Sequence, residues 1–143
     1  MEGKHKKSSS ASPEIDLLCA KGRPDVGKVW QNVLQEAGRV AATEHRLVSL
    51  MEDVFLSRAS FHEAISARLA RKLAREDMTR GELFPLLEEI LAAHPELALS
   101  MASDMIAIKD RDPACTSMIQ PLLFYKGFLA ISTYRLSHQL WEN

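Results

Sequence analysis

Cysteine, glycine and any excess of charge are scarce in this sequence, and each shortage excludes something. The 143 residues hold two cysteines, Cys19 and Cys115, far apart and in no C-x-x-C spacing. That excludes a zinc ribbon, a redox pair and a disulfide framework of the secreted type. A reducing, cytoplasmic setting is expected. The six glycines are scattered, and none completes a G-x-G-x-x-G or Walker pattern, so a glycine-rich phosphate loop is excluded. Lys and Arg number 18 against 19 Asp and Glu, a formal net charge of −1, so no overall basic field gathers nucleic acid or an anionic membrane. No apolar run has the length of a membrane span. No segment alternates apolar and polar residues as a half-buried strand would, and no Asn-Gly or Asp-Gly hairpin turn occurs. The histidines, His5, His45, His62, His94 and His138, never stand four apart on one helix, so their spacing offers no metal site. No serine lies in a G-x-S-x-G elbow, and a hydroxyl without a positioned base is inert.

What is present is helical periodicity, in a chain long enough for one domain with a sizeable core. Residues 1–24, rich in Lys and Ser near the start and broken by Pro13 and Gly22, have little apolar surface to offset ordering entropy and read as a disordered polar tail. Lys4, Lys6 and Lys7 are followed by no apolar run of secretory length, so export by a signal peptide is not expected. From Val26 the pattern changes. Val26, Val29, Trp30, Val33, Leu34, Ala37, Val40 and Ala41 recur at helical spacing, and Asp25 is placed to cap that helix. Leu47, Leu50, Met51, Val54 and Phe55 predict a shorter helix. Ser60 with Glu63, and Thr79 with Glu82, have the form of capping boxes. Pro85 sits late for the second start and predicts a start nearer Glu82 or a bend.

Proline punctuates the rest. His94-Pro95-Glu96 marks a break and a fresh start, because proline suits the first helical position. Asp112-Pro113 repeats that arrangement, making Asp112 an N-cap by spacing alone, with Cys115 a small half-buried residue in the following turn. Pro121 breaks the chain again before a last segment, Leu122 to Trp141, that buries Tyr125, Phe128, Leu129, Leu136 and Leu140. The predicted architecture is an all-α bundle of six or seven helices over residues 25–143. Arg68, Arg71, Lys72 and Arg75 form a basic stripe that reads as a solvated face, with nucleic-acid binding as its competing use. Asp112 has a second use as well: in a turn between helices an aspartate keeps lone pairs that accept from a ligand's ammonium group.

The run H-P-E-L-A-L-S-M-A-S-D-M-I-A-I-K-D-R-D-P-A, followed by P-L-L-F-Y-K-G-F-L-A-I-S-T-Y-R-L-S-H-Q-L-W, closely resembles the N-terminal helical domain of serine O-acetyltransferases. The likeness is strongest over Leu83 to Trp141 and looser over Val26 to Arg75. It implies an enzyme that moves the acetyl group of acetyl-CoA to L-serine, giving O-acetylserine for cysteine biosynthesis. It further implies a homo-oligomer, typically a dimer of trimers, and O-acetylserine sulfhydrylase as a partner. The R-D-P-A aspartate of that family helps hold the substrate's amino group, and Asp112 stands at its position; cysteine would inhibit at the same place. The family's histidine base, its carboxylate partner and the acetyl-CoA groove belong to a hexapeptide-repeat β-helix with no matching positions here. His138 belongs to the helical motif and is not that base. The resemblance therefore implies the assembly and serine-binding part of the enzyme, with a non-catalytic oligomerisation or partner-binding module as the alternative.

Overall fold

Asp25 opens the first long helix as its position predicts: its carboxylate accepts from the Lys28 N–H at 2.8 Å, satisfying a donor of the first turn. In the computed structural model, which describes residues 12–142, the elements run α1 (Pro13–Asp16), β1 (Cys19–Ala20), β2 (Arg23–Pro24), α2 (Val26–Thr43), a 3-10 turn (His45–Leu47), α3 (Val48–Met51), a π turn (Glu52–Leu56), α4 (Phe61–Leu73), α5 (Arg80–Ala93), α6 (Pro95–Arg111), α7 (Ile119–Phe124) and α8 (Lys126–Glu142). The all-α class holds. Among the described residues there are eight α-helices rather than six or seven, because α1, a single turn of four residues, forms within the expected tail.

Residues 1–11, the start of the expected tail, lie outside the described residues. Residues 12–24 carry structure. The hairpin of β1 and β2 turns through Lys21 and Gly22, both at positive φ, 52° and 73°, as a type I′ turn requires. Lys21 stands where Asn or Asp is usual. The segment offsets its small apolar content with tethers: Leu18 is buried, Lys28 Nζ donates to the Cys19 carbonyl at 2.8 Å, and Lys109 pairs with Glu14 at 3.1 Å.

The Thr79–Glu82 capping box forms in both directions, so α5 starts at Arg80, and Pro85 is carried inside it without moving the start. At α4 the Ser60 hydroxyl accepts from the Glu63 N–H at 3.1 Å, while the Glu63 carboxylate accepts from the Ala59 N–H instead of Ser60's. The helix expected over Leu47–Phe55 changes its winding twice, from 3-10 through α to π. Its apolar residues Met51, Val54 and Phe55 are buried nonetheless. They join one core with Val29 and Val33 of α2, Ile65 and Leu69 of α4, Leu91 of α5, Met101 and Met105 of α6, and Leu136 of α8.

Two expectations about proline are corrected. No helix starts at Pro113: Asp112 ends α6 as its C-cap, and the next helix waits until Ile119. Pro121 does not break the chain either, because it is the third residue of α7, where its missing N–H would have had no partner within the helix. The basic stripe is also only partly solvated. Arg68 reaches across the core to donate to the carbonyls of Leu122 and Leu123 at 2.9 and 3.2 Å, closing the end of α7, and Arg71 pairs with Asp53 at 2.8 Å.

Candidate functional site

The end of α6 and the start of α8 diverge around an open cleft of about 690 Å³, whose lining includes Asp104, Ile108, Arg111, Asp112, Tyr125 and Lys126. Asp112, the residue singled out from sequence, lines it. As a C-cap, Asp112 leaves the helix in an extended conformation, φ −97° and ψ 109°. Its Oδ1 accepts from the Ala114 N–H at 2.9 Å, and its carbonyl accepts from the Cys115 N–H at 3.0 Å. This is an Asx turn closed by the residue's own side chain. The carboxylate thus does local structural work, as the N-cap reading required, but in a turn after a helix instead of at the start of one. One Oδ1 bond from a backbone donor leaves acceptor capacity on a carboxylate.

Tyr125, the single residue between α7 and α8, lies against the same aspartate. Burial, then the Asp112 carboxylate and the Cys115 thiol beside it, push the phenol up to about 12. It remains a protonated donor at neutral pH. The Cys115 thiol is buried and donates to the Ser117 carbonyl at 3.3 Å. Asp104 pairs with Arg135 of α8, which ties α6 and α8 together along the cleft. Arg111 and Lys126 line the cleft with no ion-pair partner among the described residues. Sequence reasoning missed Tyr125 and Arg111 as site residues. Their proximity to Asp112 in sequence or in the K-G-F stretch was the available signal.

Along α8, Ile131, which also lines the cleft, Tyr134 and Trp141 are 50%, 69% and 91% exposed. Tyr134 stacks on His138, ring centroids 6.1 Å apart, and His138 pairs with Glu142 at 3.2 Å. His94 pairs with Glu96 at 3.2 Å. Among the described residues no three His, Cys, Asp or Glu side chains gather as metal ligands, and no helix is long and apolar enough to cross a membrane.

Comparison with known proteins places this arrangement. A family model described as serine acetyltransferase, N-terminal, matches residues 29–133. The chain is 39% identical over 114 residues to a serine acetyltransferase of Salmonella typhimurium, covering 80% of this chain and 42% of that protein. A solved serine acetyltransferase in complex with CoA superposes with a TM-score of 0.80 at 36% identity, over 82% of this chain and 50% of that one. A soybean serine acetyltransferase complexed with serine gives 0.78 at 36% identity, over 83% and 49%. The chain thus spans less than half the length of the curated relative it matches.

Proposed function

The chain belongs to the serine acetyltransferase family, through that family's N-terminal domain, and from that premise we propose that it supplies the ammonium-binding carboxylate, Asp112, of a serine O-acetyltransferase. The observation that carries the reading is Asp112 on the wall of a charged cleft, oriented by its own Asx turn. In that reaction the serine hydroxyl gives up its proton to a base and attacks the acetyl carbonyl; the carbon–sulfur bond breaks and coenzyme A leaves as its thiol. A hydroxyl far from its pKa needs a fixed approach as much as it needs a base. Asp112 gives orientation by holding the ammonium end, and takes no proton. Tyr125, kept protonated, donates to the same carboxylate. Base and acetyl-CoA groove are expected from a β-helix half, which the family resemblance supplies.

The test is a chimera in which these 143 residues replace the corresponding part of the Salmonella typhimurium enzyme. Asp112→Asn should raise the KM for serine about tenfold or more, as loss of a charged hydrogen bond does, with the KM for acetyl-CoA little changed. Unchanged serine kinetics would sink the assignment.

A second reading, an oligomerising or partner-binding module, is favoured by the outward Ile131, Tyr134 and Trp141 of α8. Exposed large apolar side chains along one helix suit a contact surface. Sedimentation velocity tests the assembly role: self-association into a trimer or a dimer of trimers supports it and a monomer counts against it, while the serine kinetics of Asp112→Asn in the chimera separate assembly alone from serine binding. The O-acetylserine sulfhydrylase partner and feedback by cysteine at Asp112 belong to the complete enzyme and are carried by the family resemblance.

A further inference from the structure

The loop that bears Asp112 is held at both ends, and the far end is held by a side chain from a distant helix. Residues 112–118 run between the last turn of α6 and the first of α7. At the near end the Asp112 N–H donates to the Ile108 carbonyl at 2.9 Å, and the Asx turn follows at once. At the far end Met118 stands at the N-cap of α7 with no side-chain cap of its own. A residue in the middle of α2 takes over that task. Glu36 Oε2 accepts from the N–H of Met118 at 2.7 Å and of Ile119 at 3.2 Å, 82 and 83 residues away in sequence.

A local cap of the usual Ser, Thr or Asp kind would satisfy the first turn of α7 and nothing more. A carboxylate from α2 does something further, because it ties that turn to another part of the core. Met118 and Cys115 are buried, so the loop has little slack between its anchors. Only Cys115 to Ser117 separate the Asx turn from the residue that Glu36 grips. Burial pushes the Glu36 pKa above its usual 4.5 against the two N–H bonds, with Lys109 and Arg39 supplying positive charge nearby. A helix cap alone could be had from a residue without that desolvation cost.

We propose that Glu36 is a positioning residue for Asp112: by gripping Met118 and Ile119 it fixes the 112–118 loop and so sets where the aspartate stands in the cleft. This role rests on Asp112 being the ammonium acceptor. It assigns to α2, which lines no part of that cleft, a share in the serine site.

Amide hydrogen exchange on the whole 143-residue chain, read by nitrogen-15 NMR without serine, tests it. In Glu36→Ala the Met118 and Ile119 amides should exchange about tenfold faster, the effect of about 1.4 kcal/mol of local stability. The Ala114 and Cys115 amides, which report the Asp112 turn, should follow by about threefold or more, with α4 and α5 unchanged. Glu36→Gln, which keeps an acceptor oxygen, should restore protection at all four. Acceleration confined to Met118 and Ile119 would make Glu36 a helix cap only and overturn the proposal, as would a Gln variant that behaves like Ala. Should Glu36→Ala fail to fold, Glu36→Asp, one methylene too short to reach both N–H groups, is read by the same criteria. Because no serine is present, this experiment can fail while Asp112 still binds serine, and the serine kinetics can fail while the loop is held as described.

Discussion

The α4–α5 side and the α6–α8 side carry comparable numbers of charges and use them differently. On the first, Arg68 closes the end of α7, Arg71 holds Asp53, Glu63 caps toward Ala59, and Glu82 completes a capping box. Those groups are fastened within the molecule. On the second, Asp112, Arg111 and Lys126 face a cleft, and Ile131, Tyr134 and Trp141 face outward from α8. A charge whose donors or acceptors are all taken up within its own chain has little left to offer a ligand, whereas Asp112 keeps acceptor capacity beyond its Asx turn.

The largest expected effect that would sharpen this contrast is on the fastened side. Arg68→Met should lower unfolding free energy by about 2–3 kcal/mol, since two carbonyls lose a charged donor, and leave serine KM in the chimera unchanged; urea denaturation measures it. A changed KM would blur the division. Next comes Asp112→Asn on the open side, whose about tenfold rise in serine KM should accompany a melting temperature close to that of the parent. A large thermal loss would mean that the Asx turn, and not the cleft, is what the residue chiefly serves. Smaller is Thr79→Ala, which removes half of a capping box and should cost about 1 kcal/mol, again with no kinetic consequence.

The smallest effect is a pH dependence at Glu36. Its folded pKa is raised by burial, so the folded state binds the proton more tightly than the unfolded one. The stability it contributes is present at low pH and is lost as pH rises from its usual 4.5 through the folded value. Melts of parent and Glu36→Gln across that interval should differ in slope, with the Gln variant flatter; equal slopes would contradict the assignment.

Local signals in the sequence carried most of the helices. Asp25, Ser60 and Thr79 cap where their spacing predicts, because a cap is written in three or four adjacent residues. Asp112-Pro113 shows the limit of such signals. The same dipeptide suits a helix start or a turn after a helix end, and here the Asp112 N–H closes α6 on the Ile108 carbonyl while its Oδ1 accepts from the Ala114 N–H, which makes it the turn. Arg68 and Glu36 were illegible for a related reason: their partners lie 54 and 82 residues away, and no periodicity within one helix reports them. The π turn at Glu52–Leu56 likewise left no mark on the apolar spacing. For the site, the residue type and position of Asp112 were readable, whereas the company of Tyr125, Arg111 and Lys126 in one cleft required the fold.

The outward indole of α8 makes the molecule its own optical gauge. The chain has two tryptophans: Trp30 is 8% exposed in the core and Trp141 is 91% exposed at the other extreme. Fluorescence from the second should lie at long wavelength and quench readily with iodide, while the first emits further to the blue and stays shielded until the bundle melts. Anything that comes to cover the far end of α8 would then announce itself as a blue shift in Trp141 alone, read without a label.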